Sequence, residues 1–458
     1  MNGWWLVAAL VAQAAPPQAA ATPVPAQPRK VVIHGAISTL VATYPNQQDT
    51  RELRARALVD VTADPKSWLR LRFEGLAEGL VADRGGPPAL QLSSGQTGSV
   101  IAAVRDAWAE LRLNDVEVRA GYGRLVWGRL DEVMPSDVIN PIDTARFFLD
   151  GRTDARLPVA FVRSRVFLSS ESSIEAVVSL PGRRGRFDSL DETTSPFNLL
   201  RDLDSRGTGV DLWKTPRTQD IGVPGVFHKS TPVPVVREEP RASWRNLQGG
   251  LRVSTTAARV DMSVSAWRGF EGFGIVSFEP VAFAGGPGPI PLIVGTLVER
   301  YPRFTMIAGD AEMVRGGWAI RGEVAGFIDK TLNGPTGPAK GKAVDAGLGV
   351  DRAAGAYHLF GSIVWHREWV TSSSGSIEHL NVIASVDRRF SRERYLARVF
   401  GVFNPDDRSG FVRGLASWTV RDNVLLEASG GAFLGEGTDT IGRFTDRDFL
   451  FLRVRYSF

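Results

Sequence analysis

No cysteine occurs in the chain, which excludes disulfides and thiolate-held metals. Lysine is scarce: seven of the 54 basic residues, the rest being arginine. Excess charge of either sign is lacking too. The 54 basic residues face 50 acidic ones, a net charge of +4, and so weak a field gives no reason to expect a nucleic-acid partner. Past Ala14 there is no apolar run of about 18 residues. No helix is therefore expected to cross a bilayer, and any crossing must use strands. Catalytic signatures are missing as well. Neither G-x-S-x-G nor H-E-x-x-H is present. The five histidines, His34, His228, His358, His366 and His379, stand at no triad or metal-ligand spacing. "GEGTDTIG", residues 435–442, is glycine-rich but lies between two extended segments, which argues against phosphate binding. No enzyme activity, cofactor or metal is expected.

What is present starts with an export-like segment. "MNGWWLVAALVAQAA" carries an apolar run from Trp4 to Ala12 and then Ala12-Gln13-Ala14, an A-x-A cleavage pattern. Residues 1–14 are expected to be a signal peptide for export into the periplasm. Residues 15–30, with "APPQAAATPVPAQP", are expected to form an extended Pro/Ala-rich leader.

Alternation dominates the rest. In "FLFLRVRYSF", 449–458, Leu450, Leu452, Val454, Tyr456 and Phe458 share one parity, while Arg453, Arg455 and Ser457 hold the other. That is the pattern of a strand with one apolar and one wet face. In "SWLRLRFEGLAEGL", Leu69, Leu71, Phe73 and Ala77 oppose Arg70, Arg72, Glu74 and Glu78. "WAIRGEVAGFID" sets Trp318, Ile320, Val324 and Ile328 against Arg321, Glu323 and Asp329. Eighteen such segments are expected, near 31–44, 51–63, 67–81, 100–113, 116–127, 157–169, 172–181, 244–256, 258–268, 302–313, 317–329, 342–351, 355–370, 376–387, 394–404, 410–421, 423–434 and 449–458. From the second segment on, every other link is tiny, such as Asn114-Asp115 or Arg421-Asp422, and those between are mostly longer.

Short turns alternating with longer loops, and an even number of strands, mark a membrane barrel. In hydrocarbon every backbone N–H and C=O must pair within the protein, and a closed sheet achieves this without helices. The expected fold is all-β: a single closed antiparallel transmembrane β-barrel of about 18 strands (16–18) over residues 31–458, with long loops at 128–156, 182–243 and 269–301. The expected location is the outer membrane of a Gram-negative-type cell, among lipid and lipopolysaccharide. The last segment resembles the C-terminal signature of bacterial outer-membrane proteins, with Phe458 last and Tyr456 two residues before it. That resemblance implies recognition by the barrel-assembly machinery.

A barrel of this size resembles porins, whose lumen holds water. The expectation is a porin-like channel for passive passage of small solutes. Arg70, Arg72, Arg112, Arg321, Glu110 and Glu323 are the expected lumen residues. Two readings stay open: cross-strand pairs that brace the wall, or a charged selectivity surface. The loop "GRLVWGRLDEVMPSDVINPIDTARFFLDGRTDARLPVAF" adds Arg129, Asp131, Glu132, Asp137, Asp143 and Arg146 as constriction candidates. Its Ile139, Ile142, Phe147, Phe148 and Leu149 are too apolar for water. They call for burial, either inside the lumen or over the barrel mouth. The segment Trp127, Gly128, Asp131 … Asp137, Asn140, Pro141, Asp143 resembles a W-G-x-x-D…N-P-x-D motif of uncharacterised porin-like outer-membrane proteins. The resemblance implies a barrel, with a transporter of hydrophobic or organic solutes as one alternative to the channel. A structural or adhesive barrel is the other. A homo-oligomer is compatible with the sequence.

Overall fold

A computed structural model of the chain describes residues 31–47, 50–83, 96–192, 194–198, 218–223, 227–284, 292–334, 337–371, 376–435 and 441–458. The expected signal peptide and leader, 1–30, lie outside the described residues, as do parts of the loops 182–243 and 269–301.

Eighteen strands form one sheet that closes on itself. The wall begins with β1 (Val32–Tyr44), β2 (Thr50–Lys66), β3 (Leu69–Asp83), β4 (Gln96–Leu113), β5 (Val116–Gly123), β6 (Val159–Phe167) and β7 (Ser172–Ser179). Short strands β8 (Thr218–Val223), β9 (Phe227–Pro232) and β10 (Val235–Glu238) then leave it. β11 (Gln248–Ala257) and β12 (Val260–Phe270) rejoin it. β13 (Ile275–Ala284) and β14 (Leu292–Arg300) leave it again. β15 (Arg303–Arg315), β16 (Trp318–Gly334), β17 (Gly337–Ala354), β18 (Tyr357–Val370), β19 (Ser376–Phe390), β20 (Tyr395–Asn404), β21 (Ser409–Arg421), β22 (Val424–Leu434) and β23 (Phe449–Ser457) complete the ring. Closure comes from β1 and β23, antiparallel, with Ala36 opposite Ser457 and Thr43 opposite Leu450.

The alternation decides which face meets which medium. Along β23, Leu450, Leu452, Val454 and Tyr456 lie on the outside, with Leu452 67% exposed, while Phe449 and Phe451 are buried inside. Arg453 of the inner row reaches Glu427 on β22 at 3.3 Å. The same exterior row of Val, Leu and Ile runs around the ring, for example Val162, Val264, Ile307, Val324, Ile363, Val399 and Val412. Hairpins at one end are tight. Ala258-Arg259 and Gly316-Gly317 both take positive φ at both positions, the backbone that suits a two-residue turn between twisted strands. Aromatic rings gather near that end: Phe390 stacks on Tyr395 at 5.4 Å, and Tyr395 on Trp418 at 6.1 Å. Rings at this level suit a lipid headgroup zone.

The long loops contain regular structure of their own: β13, β14 and β10 form a three-stranded sheet and β8 and β9 a hairpin. Two expectations need correction. Asp329 does not join Arg321 and Glu323 on the inner face. A register shift between Phe327 and Lys330 displaces Ile328 and Asp329, Asp329 takes φ +56°, and both are exposed. The inner face is also not ionic throughout. Toward the long-loop end it carries Phe411, Phe433, Phe449 and Phe451, with Phe400 at mid-wall and Phe360 nearer the short turns, all buried.

Candidate functional site

After Gly123 the chain leaves the wall, and residues 124–158 turn inward before β6 begins. Their partners come from widely separated points of the inner wall. Trp127 Nε1 donates to Glu175 on β7 at 2.8 Å. Arg129 donates to Asp310 at 2.6 Å and Glu312 at 3.2 Å, both on β15. Glu323 on β16 accepts from the backbone N–H of Arg129 (3.0 Å), Leu130 (3.3 Å) and Ser136 (2.6 Å), and from the Ser136 hydroxyl (2.7 Å). Asp131 pairs with Arg321. Arg146 donates to Glu78 on β3 at 2.6 Å. Asp150 pairs with Arg56 on β2 at 2.5 Å and with Arg453 on β23. A segment held by β2, β3, β7, β15, β16 and β23 together lies inside the ring.

Local chemistry shapes the loop. Gly128 has φ +102°, and a Cβ there would stand 2.8 Å from Glu323 Oε1, so the position needs glycine twice over. Asn140 ties the loop's two ends together. Its Oδ1 accepts from Leu125 N–H at 2.8 Å, and its Nδ2 donates to Leu157 C=O at 2.8 Å. Asp137 receives Arg152 and Arg156, each at 2.7 Å. Burial alone would raise its pKa, but the Arg156 and Arg152 guanidiniums outweigh it and hold the carboxyl below its usual range. Asp143 caps helix α1 (Thr144–Asp150) by accepting from Arg146 N–H at 2.9 Å, and its other oxygen accepts from Ser189 N–H at 2.8 Å. Burial pushes Asp143 up to about 6, against the pull of Arg146. Trp127, Gly128, Asp131, Asp137, Asn140 and Asp143 thus each shape or tether the loop. The segment after β7 backs the loop: Thr144 and Ala145 N–H donate to Arg186 and Phe187 C=O, both at 2.8 Å.

The apolar half of the loop meets the apolar half of the inner wall. Phe148 stacks on Phe197 at 5.0 Å and meets Phe433, Phe444 and Phe411 at 5.1, 4.9 and 5.7 Å. Phe147 and Leu149 are equally buried there, and Ile142 packs against the cluster. Ile139 joins a second cluster with Trp127 and Trp267. Arginines complete the end of α1: Arg413 donates to Phe148 C=O at 2.9 Å and Arg453 to Leu149 C=O at 3.0 Å. Aromatic burial and ionic tethers therefore act on one segment from two sides.

The expected site residues fall into two groups. Arg129 and Asp131 of the loop meet Glu323 and Arg321 of the wall, Arg146 reaches Glu78 on β3, and Asp137 and Asp143 bond within the loop and to Ser189. Glu132 belongs with them: its carbonyl accepts from Arg152, and its carboxylate bears on Arg398. Arg70, Arg72, Arg112 and Glu110 lie apart from the loop, near the short-turn end. Arg70 pairs with Asp64 at 2.7 Å, Arg72 with Asp60 at 3.0 Å and Glu74 at 3.2 Å, and Arg112 with Glu110 at 2.7 Å. Glu110 is 1% exposed and also holds Arg119. Glu52, Arg54, Arg56 and Arg124 were not singled out from the sequence. Arg54 bridges Glu52 (2.9 Å) and Asp188 (2.5 Å), and Arg124 bridges Glu74 (2.7 Å) and Asp106 (2.6 Å). The even parity of Glu52, Arg54 and Arg56 in "TRELRARALVD" was the signal that marks them.

No protein-family model and no curated protein matches the chain. Solved structures similar to it include OccAB2 of Acinetobacter baumannii, 8% identical over 93% of this chain and 98% of that one, with a TM-score of 0.49. OccK7 of Pseudomonas aeruginosa is 9% identical over 94% and 98%, with a TM-score of 0.47. OmpT, an outer membrane protein of Vibrio cholerae, is 12% identical over 94% and 99%, with a TM-score of 0.41. The barrel assignment rests on the strand pairing itself.

Proposed function

We propose that the protein is an outer-membrane channel through which small water-soluble solutes diffuse, narrowed by residues 124–158. One observation carries this reading: the faces of the sheet are inverted relative to a soluble fold. Leucine, valine and isoleucine rows face outward, while Arg–carboxylate pairs such as Arg321–Glu312 (2.9 Å) and Arg252–Asp310 (3.0 Å) face inward. Oil outside and water inside is the arrangement that makes both rows favourable. The loop then sets the size limit, and the charges exposed beside it set the preference among solutes. Arg129, Asp131, Glu132, Asp137, Asp143, Arg146, Arg321 and Glu323 form the narrow zone in this reading. Arg70, Arg72, Arg112 and Glu110 line the short-turn mouth.

Reconstitution of the purified barrel in a planar bilayer tests the proposal. Stepwise ion currents are expected, with a larger step after deletion of residues 130–150. Silence from both proteins would refute a channel.

A further inference from the structure

The wall is not of even height. β4 pairs with β3 along its whole length, from Leu111 opposite Leu69 to Gln96 opposite Asp83. With β5 it pairs only from Leu113 to Ala107. β5 stops at Gly123, where the chain turns into the lumen, so residues 96–106 of β4 have no ladder partner on their second side among the described residues. The break coincides with a bulge. Glu74 opposes Asp106 and Gly75 opposes Val104, which leaves Arg105 as the extra residue, and Arg105 and Asp106 are both buried. The result is a notch in the barrel side, toward the long-loop end, next to the short strands β5, β6 and β7.

A cavity of about 180 Å³ occupies the notch. Residues 101–105 of β4 line one side, and five arginines converge on it: Arg105, Arg146, Arg156, Arg183 and Arg186. Three have carboxylate partners. Arg105 reaches Glu74 at 3.1 Å and Asp154 at 2.7 Å, Arg146 reaches Glu78, and Arg156 reaches Asp137. The remaining two do not. Arg183 lies over the Tyr122 ring at 5.6 Å, and neither it nor Arg186 forms an ion pair with any described residue. Arg105 is 3% exposed, yet its Nη1 is buried without a hydrogen-bond partner. Guanidiniums without a carboxylate partner among the described residues, gathered beside a strand edge with no ladder partner there, are costly to hold together. The arrangement becomes favourable if an anion with several acceptor oxygens sits there.

We propose that this notch is a binding site for an oxyanion group, a phosphate or carboxylate, carried by a solute or by the headgroup of an outer-leaflet lipid. Guanidiniums suit such groups because their planar donors match two oxygens at once. Its lining is β4 with residues 146, 156–158, 183, 186 and 189, so binding there is measured without any need for conduction through the lumen.

The test uses the full-length barrel. In detergent, calorimetry measures binding of inorganic phosphate and of succinate. In nanodiscs of phosphatidylcholine doped with phosphatidic acid, native mass spectrometry measures retained lipid. Binding in the first arm identifies a solute ligand, and selective retention of phosphatidic acid identifies a lipid. The double variant Arg183→Gln/Arg186→Gln is expected to weaken whichever is seen by tenfold or more. The single variant Arg183→Gln, at an exposed position with no ion pair among the described residues, should weaken it by a smaller factor. A wild-type barrel that binds none of the three probes above a phosphatidylcholine control overturns the proposal, and so does binding unchanged in the double variant. A silent planar bilayer would count against the channel and leave this site standing.

Discussion

Glu323 offers the sharpest test of how the loop is held. One carboxylate on β16 accepts four hydrogen bonds from Arg129, Leu130 and Ser136 across the lumen. Hydrogen bonds to a charged acceptor contribute about 1.5–3 kcal/mol each, and bonds sharing one acceptor do not add fully. Replacing Glu323 by alanine leaves three backbone N–H groups without partners in the docked loop. A conservative loss is about 3 kcal/mol, roughly a 150-fold shift of the docked-to-released ratio. Glu323→Gln keeps one acceptor oxygen and should lose less. The assay is single-channel recording with limited trypsin digestion on the same preparations. Glu323→Ala is expected to give larger or noisier steps and faster cleavage at Arg152 and Arg156, with Glu323→Gln between it and the wild type. The ring itself should survive, since the Glu323 side chain bonds to the loop and, among the described residues, not to neighbouring strands. Identical conductance and identical cleavage in Glu323→Ala and wild type would show that the loop is held elsewhere, and this reasoning would fail.

Three further outcomes follow from particular contacts. Asn140→Ala strands the Leu125 N–H and the Leu157 C=O, at about 1–3 kcal/mol each, and trypsin should cut the loop at least tenfold faster in a digestion time course. Leu452→Arg, near the middle of β23 on the lipid face, should cost about 2–4 kcal/mol in denaturant unfolding from vesicles, and a cost near zero would contradict the facing of that row. Asp143 titrates at about 6 in the docked loop and near 3.9 when hydrated, so the docked form binds its proton more tightly. Docking stabilised by that proton is fully present below about pH 4 and is lost as pH rises through about 6, worth about 3 kcal/mol in all. Asp143→Asn should flatten the dependence of channel closures on pH across this window. Asp137, held low by Arg156 and Arg152, acts in the opposite sense and only at more acid pH.

Much of the wall was legible because alternation is a local signal. Leu452 and Arg453 are neighbours in the chain, and their opposite characters assign their faces without knowledge of any partner. All eighteen wall strands sit where the alternating segments placed them, with end shifts such as β5 stopping at Gly123 rather than residue 127. Where alternation lapses, the reading lapsed too. β13 and β14 lie in an apolar stretch with no clean period of two, and the bulge at Ile328-Asp329 reverses parity without any mark in composition. The inner face was read as wet because Arg and Glu stand out, whereas Phe411 and Phe433 look the same in sequence whether they face lipid or the buried loop. The loop's apolar residues announced a need for burial, but not its destination. Arg129 and Glu323 are 194 positions apart, and nothing local couples them. Trp127, Gly128, Asn140 and Asp143 could be singled out as a motif, yet their tasks of tethering, turning, stapling and capping depend on atoms supplied by other strands.

The seam between β1 and β23 sets an order of events for assembly. Ala36 must find Ser457, more than 400 residues away, before the last raw edge disappears. Joining points that far apart in a flexible chain costs about 5 kcal/mol in closure entropy, (3/2)RT ln n, if nothing between them is yet ordered. Stepwise hairpins shrink that span to the width of a growing ribbon, so the zipper is cheap only after its neighbours have formed. A polypeptide halted before β23 would carry two unsatisfied borders into the bilayer. It would be a ribbon liable to pair with a stranger, and the final nine-residue strand is what turns it into a vessel.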